Sequence, residues 1–456
     1  MPTKHLVFLS VPGLRPRDID KHNTPTLYSW ASAGLLAELI PTFPCVTSCV
    51  QASMLTGTPP GSHGVIANGF YQRDRREVEF WVGHNEVIVG EQVWDELRRR
   101  NPEFTSAAWH AQNIKGAAAD FIITPAPIHE PNGSTKLWCY SKPDGLYQQL
   151  LGAMGHFPLQ HYWGPLSNIE STKWILNAAV WLMEKHRPNL HWIYVPHLDY
   201  SAQKFGPNSP QALNALKELD QCLAEFARRI TALYDETVFL VAGEYALTDV
   251  SGVVYPNRLL REAGLVAVRE EDGREHLDLK NSTAFAMVDH QFAHVYINAD
   301  QSRDPRSKSG GAEQAIVDLF RNVPGVAVVY AGDDRARIGM NHPRSGDVIL
   351  ICDDAHWLAY YWWFDDSAAP PFARSVDIHR KPGYDPVELF FDPIAKGIPL
   401  NAALVKGSHG VPATADRHRS ALICSVASKG AGAGFLSRTG TYRDTDINQI
   451  ILELLG

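Results

Sequence analysis

The sequence predicts an α/β fold: a mostly parallel central sheet with helices on both faces, and insertions capping one edge. Two observations carry this. Residues 5–11 (HLVFLSV), 190–199 (LHWIYVPHLD) and 237–245 (TVFLVAGEY) open on continuous apolar runs of strand length, as strands covered on both faces require. Helical patterns stand between them, and strands that alternate with helices pair in parallel under helical cover.

Taken in order, the first strand is stopped by Pro12-Gly13. TPTLYSWASAGLLAEL follows as a helix, with Thr24 as N-cap candidate and Pro25 at its first position. A short helix is expected from near Thr47 to Gly57. STKWILNAAVWLMEKH is the next helix, closed by Arg187-Pro188. In PQALNALKELDQCLAEFARRITAL, the residues Leu213, Leu216, Leu219, Leu223, Phe226 and Ile230 keep helical spacing and mark one core-facing stripe. AEQAIVDLFRNVPGVAVVY reads as a helix and a strand, and TDINQIILELLG as a terminal helix. The core is thereby assigned to 1–100, 166–340 and 405–456. Residues 101–165 and 341–404, irregular and rich in Pro, Trp and Tyr, are assigned to insertions capping the site. Ligands in such sheets bind beyond the carboxyl ends of the strands, which selects Pro12-Gly13, Asp199 and Glu244 as neighbours.

A chain of 456 residues buries a large core. Its net charge of -8, unrelieved by any Lys/Arg block, argues against a nucleic-acid polymer or an anionic membrane as partner. The six cysteines form no CxxC pair, and a chain of this length needs no disulfide staples. Leu6–Val11 is too short for a signal segment, and no other stretch would span a bilayer. A cytoplasmic protein is expected; the oligomeric state is not legible.

The most informative stretch is PTFPCVTSCVQASMLTGTPPGSHGVIANGF. A hydroxyl at the start of a helix meets free N–H groups and the positive end of the dipole, so Thr47 suits either an anion site or a plain N-cap. The segment resembles the nucleophile region of the alkaline phosphatase superfamily, in its nucleotide pyrophosphatase/phosphodiesterase branch. YVPHLDYSAQKFGP, VAGEYAL and the late GSHGV are similar to further motifs of that branch, in the same order. The resemblance implies an alkaline-phosphatase-like fold, Thr47 as nucleophile and Asn68 holding a phosphoryl oxygen. It also implies two divalent ions, usually zinc, held by six Asp and His side chains and the nucleophile.

Matched residue by residue, Thr47, Asp199 and His409 are in place. Pro12 stands where an Asp is expected, Gln203 where a His is expected, and Glu244-Tyr245 where an Asp-His pair is expected. The expected cofactor is therefore one divalent ion (zinc, manganese or magnesium) rather than the pair, on Asp199, His409, Gln203 and Glu244. Two other clusters have ligand-like composition. MVDHQFAHVYIN carries Asp289, His290 and His294, the two histidines on one face if the strand is regular. SVDIHRKPGYDPVELF carries Asp377 and His379 on one strand face, with Arg380 and Lys381 suited to an anionic substrate. A bacterial subgroup with an altered ligand set is similar at PHLDYSAQKFGP, DHQFAHVY and DIHRKPGYDP.

The function expected is hydrolysis of a phosphodiester or pyrophosphate bond in a small anionic metabolite. Thr47 would attack, a metal would polarise, Asn68 would stabilise, and Glu244 would act as ligand or base. The alternatives are a lyase, isomerase or transferase on the same scaffold with a rewired or metal-free site, and a non-catalytic binding relative. Cys45 or Cys49 as nucleophile is a further alternative. The first GSHGV, with His63, is expected to shape a turn.

Overall fold

Leu6 and Phe8 point to one side of the first strand, Val7 and Leu9 to the other, and all four are buried. The strand His5–Ser10 is therefore covered on both faces. The computed structural model describes residues 5–129, 135–234, 236–298, 310–426 and 440–456. Among these, nine strands form the central sheet, in the order Thr441–Arg443, Leu35–Ile40, Ser420–Cys424, Thr237–Ala242, His5–Ser10, Leu190–Tyr194, Ser106–Trp109, Phe121–Pro125 and Cys139–Lys142. All run parallel except Ser420–Cys424 and the edge strand Cys139–Lys142. The fold is the expected one, a mostly parallel sheet between helices.

Val7, Leu9 and Val241 pack under the helices Pro25–Ala33, Ile169–His186 and Pro210–Thr231. The stripe of Leu216, Leu219, Leu223, Phe226 and Ile230 faces this core, while Leu213 lies exposed. Leu6, Phe8 and Leu240 pack on the other side, with Thr47–Thr56, Val93–Arg100 and Asp446–Leu455. No helix of the described residues is long and apolar enough to cross a membrane.

A second, wholly antiparallel sheet orders Ala284–Asp289, Phe292–Ile297, Val348–Cys352 and Val326–Ala331. Its first hairpin turns at His290 and Gln291, so His290 is a turn residue and not a strand residue; its φ is +61°. Of the two segments expected as insertions, 101–165 extends the central sheet by three strands, SAAW, FIITP and the edge strand CYSK, each only four or five residues long. Segment 341–404 gives one strand to the second sheet, pairs His356–Leu358 with Gly252–Val254, and then runs through short 3-10 turns. Pro12, Thr47, His110, Asp199 and Glu244 all lie in the segments that follow the carboxyl ends of parallel strands.

Candidate active site

Thr47 is the first residue of the buried helix Thr47–Thr56, after Val46 in extended conformation, and Gly57 in the left-handed region ends it. Its Oγ1 lies 3.0 Å from the Tyr245 hydroxyl. The next backbone amide, Ser48 N–H, donates to Asn68 Oδ1 (3.0 Å). Asn68 N and Nδ2 both donate to Asp289 (2.8 and 3.1 Å). Asn68 is thus fixed with its carbonyl toward the helix and its amide toward Asp289, leaving one Nδ2 proton for a ligand.

Glu244 follows the strand Thr237–Ala242 and Gly243. Its Oε1 accepts from Ser10 Oγ (2.7 Å) and Gln51 Nε2 (2.6 Å). Gln51 is itself oriented by Gln112 N–H, which donates to its Oε1 at 2.7 Å. Glu244 Oε2 is buried with no hydrogen-bond partner. Burial pushes the Glu244 carboxyl up to about 7, while Gln51, Ser10 and the nearby Thr47 pull it down.

Across the site, Gln203 Nε2 donates to Asp199 Oδ2 (2.7 Å), and Gln203 Oε1 accepts from the Tyr384 hydroxyl (2.9 Å). Burial raises the Asp199 carboxyl to about 7; the Gln203 bond lowers it and the Glu244 charge raises it further. His409 Nδ1 lies 2.7 Å from the Cys45 carbonyl, which only accepts, so Nδ1 carries the ring proton. Burial holds the imidazole neutral, well below its ordinary pKa, so Nε2 presents a lone pair. Four rings then lie in contact in series, the outer pairs stacked and the His409–His290 pair tilted at 40°. Tyr245 lies 3.6 Å from His409 at 9°, His409 lies 3.7 Å from His290, and His290 lies 3.6 Å from Tyr384. His290 Nδ1 lies 2.7 Å from Asp289 Oδ1, which closes the circuit back to Asn68. Burial raises Asp289 to about 7 as well, against the pull of the Asn68 bonds.

The ion pair implied by the resemblance can be tested against these donors. Near Thr47, Pro12 has no donor, Glu244 Oε1 already takes two bonds, and Tyr245 is bonded to Thr47 itself. Near His409, Asp199 Oδ1 and His409 Nε2 lie 3.9 Å apart, both buried acceptors without a partner. The third position is Gln203, whose amide is spent on Asp199 and Tyr384. Among the described residues no three His, Cys, Asp or Glu side chains form a metal-ligand set. The residues present do not fit the two-ion site: beside His409 they offer two unpartnered ligand atoms and beside Thr47 one, Glu244 Oε2, where zinc enzymes use three protein ligands.

The structure brings Thr47, Asn68, Asp199, Gln203, Glu244, Asp289, His290 and His409 into one group. The other cluster stands apart. Asp377 pairs with the Arg380 guanidinium, and His379 Nδ1 lies 3.2 Å from Phe80 O. Lys381 is buried between Asp385 (2.8 Å) and Glu388 (2.6 Å). His294 is a core residue, 3.0 Å from Ile66 O and accepting from Gly346 N–H. Burial pushes the Cys45 and Cys49 thiols up, opposite to what activates a thiolate nucleophile. Sequence reasoning passed over Ser10, Gln51 and Tyr384. The first two carry no motif, whereas Tyr384 stands in the GYDP that follows the quoted histidine cluster.

Comparison with known proteins bears on this geometry. The profile of the type I phosphodiesterase / nucleotide pyrophosphatase family matches residues 6–385. The chain belongs to that family. Two curated relatives are each 22% identical to it. An uncharacterized pyrophosphatase/phosphodiesterase of Schizosaccharomyces pombe aligns over 48% of this chain and 39% of its own length. A bis(5′-adenosyl)-triphosphatase of Bos taurus aligns over 54% and 48%. The chain spans about half the length of these relatives, or less. Among solved structures, phosphonoacetate hydrolase of Sinorhizobium meliloti with phosphonoformate superposes with a TM-score of 0.63 at 14% identity, covering 99% of this chain and 96% of that one. That likeness shows the shared fold. The family consists of hydrolases of the phosphodiesterase and pyrophosphatase type, as the sequence led one to expect.

Proposed function

We propose that the chain hydrolyses a phosphodiester or pyrophosphate bond in a small anionic metabolite, with Thr47 as nucleophile. The observation that carries this is the buried Thr47 hydroxyl at a helix start, with the unpartnered Glu244 Oε2 nearby. Thr47 Oγ1 bonds to phosphorus as the bond to the leaving-group oxygen breaks with its electron pair, and the threonine proton passes to Glu244 Oε2. Water then attacks the same phosphorus, the Thr47 oxygen leaves with its electron pair and takes back the proton held on Glu244 Oε2, and the water's proton passes to the Glu244 carboxylate so regenerated and from there to solvent. The free Nδ2 proton of Asn68 and the first amides of the helix stabilise charge on the phosphoryl oxygens.

The charge balance supports a diester over a monoester. Asp199, Glu244 and Asp289 are buried carboxyls, and no Lys or Arg is among the groups acting on them. A doubly charged monoester meets more repulsion there than a singly charged diester. Arg380 and Lys381 stay outside this reading, being spent on Asp377 and on Asp385 and Glu388. A single divalent ion is the second reading, favoured by the paired orphan acceptors Asp199 Oδ1 and His409 Nε2. One equivalent of metal in the purified protein, lost in Asp199→Asn, supports that reading; none refutes it.

The nucleophile is tested with bis(4-nitrophenyl) phosphate. The wild type is expected to release 4-nitrophenolate and Thr47→Ala to lose at least about 10³-fold in rate. Undiminished turnover by Thr47→Ala, or none by the wild type, overturns the reading.

A further inference from the structure

Tyr245 stands where the family resemblance expects a histidine ligand, and its geometry gives it different work. We propose that Tyr245 is a positioning residue for Thr47: its hydroxyl holds Oγ1 by a direct hydrogen bond where the family uses an ion. The proposal rests on Thr47 being the nucleophile.

Three sets of contacts support it. The Tyr245 hydroxyl has one hydrogen bond, to Thr47 Oγ1 at 3.0 Å. The ring is held flat on His409, 3.6 Å away at 9°, and His409 is anchored through Nδ1 to the Cys45 carbonyl, two residues before Thr47. His290 and Tyr384 continue the stack behind it, so the phenol cannot swing away without dismantling four rings. The backbone is pinned too. Gly13 N–H donates to Tyr245 O at 3.0 Å, and a Cβ on Gly243 would lie 2.4 Å from Leu14 O. Tyr245 is 1% exposed, so its hydroxyl is shielded from bulk solvent.

The remaining positions around Thr47 agree. Pro12 presents no donor, and Glu244 Oε1 is taken by Ser10 and Gln51, which leaves Glu244 Oε2 as the unpartnered acceptor. The Thr47 hydroxyl is left between the Tyr245 hydroxyl and Glu244 Oε2. It is aimed before substrate arrives, and a misaimed nucleophile loses on the order of 10²-fold in rate.

Tyr245→Phe keeps the stack on His409 and removes only the hydroxyl. In rapid-quench single turnovers with bis(4-nitrophenyl) phosphate, it is expected to slow the first 4-nitrophenolate release by about 10²-fold. KM and the later hydrolysis of the Thr47 adduct should stay within about threefold of wild type. Tyr245→His, assayed with chelator present, restores an N–H donor on a ring and should recover part of the lost rate. A first step within about threefold of wild type in Tyr245→Phe, with Thr47→Ala inactive, overturns the role of Tyr245. So do equal first-step rates for the Phe and His variants, which covers a Phe variant that merely folds poorly. An active Thr47→Ala overturns the nucleophile reading instead.

Discussion

Asn68 spends its amide on two tasks at once, accepting from Ser48 N–H and donating to Asp289. Asn68→Ala removes the side-chain half of that bridge. Its kcat is expected to fall about 10²- to 10³-fold, and its stability by about 1–3 kcal/mol because Asp289 loses a buried donor, measurable by steady-state kinetics and urea titration. Lys381 shows how a residue type misleads when its surroundings are unseen. Beside Arg380 in the sequence it suits an anionic substrate, but Asp385 and Glu388 enclose it at 1% exposure. Lys381→Met leaves those two carboxyls buried and unpaired, and should cost about 3–5 kcal/mol in a denaturant titration.

At the scale of elements, the helix that presents Thr47 is braced from below by a directional relay. Val65 N–H donates to His63 Nδ1 at 3.1 Å, so the neutral ring, its pKa lowered by burial to about 3, carries its proton on Nε2. His63 Nε2 donates to Ser53 Oγ (3.0 Å), Ser53 Oγ to Thr42 Oγ1 (2.9 Å), and Thr42 Oγ1 to Asp444 (2.8 Å). The first GSHGV is therefore the brace of the Thr47 helix, and the second supplies His409. Burial raises the Asp444 carboxyl from 3.8 to about 7, so the folded state holds that proton more tightly than the unfolded chain. The stability this proton contributes is full below pH 3.8 and is lost as pH rises through about 7. Asp444→Asn removes that dependence. Relative to wild type, the variant should gain up to ~4 kcal/mol between those limits, read from denaturant midpoints across the pH range. Gly243 matters in another way. A methyl there meets Leu14 O, so Gly243→Ala should displace Glu244 and Tyr245 and lower kcat about tenfold or more.

For the whole molecule, the strands buried at the sheet centre were legible, because a strand covered on both faces writes an unbroken apolar run. The strands Ser106–Trp109, Phe121–Pro125 and Cys139–Lys142, toward one side of the sheet, were not, being only four or five residues long. The site was half legible for a related reason. Thr47, Asp199, Glu244 and His409 lie just past strand ends or on quoted motifs, where topology predicts a site. His290 reaches it from a hairpin turn that VDHQFAHVY conceals, lacking the Gly or Asn that usually marks one. Tyr384 arrives from the loop of segment 341–404, and its ring stack has no signature in linear sequence.

The central claim, covalent chemistry at Thr47, is tested most directly by acid-quenching the enzyme during turnover of bis(4-nitrophenyl) phosphate and mapping the adduct by peptide mass spectrometry. The expected result is a 4-nitrophenyl phosphoryl group on Thr47, absent from Thr47→Ala and accumulating more slowly in Tyr245→Phe. An adduct on another residue, or steady turnover with no adduct and an active Thr47→Ala, would contradict it.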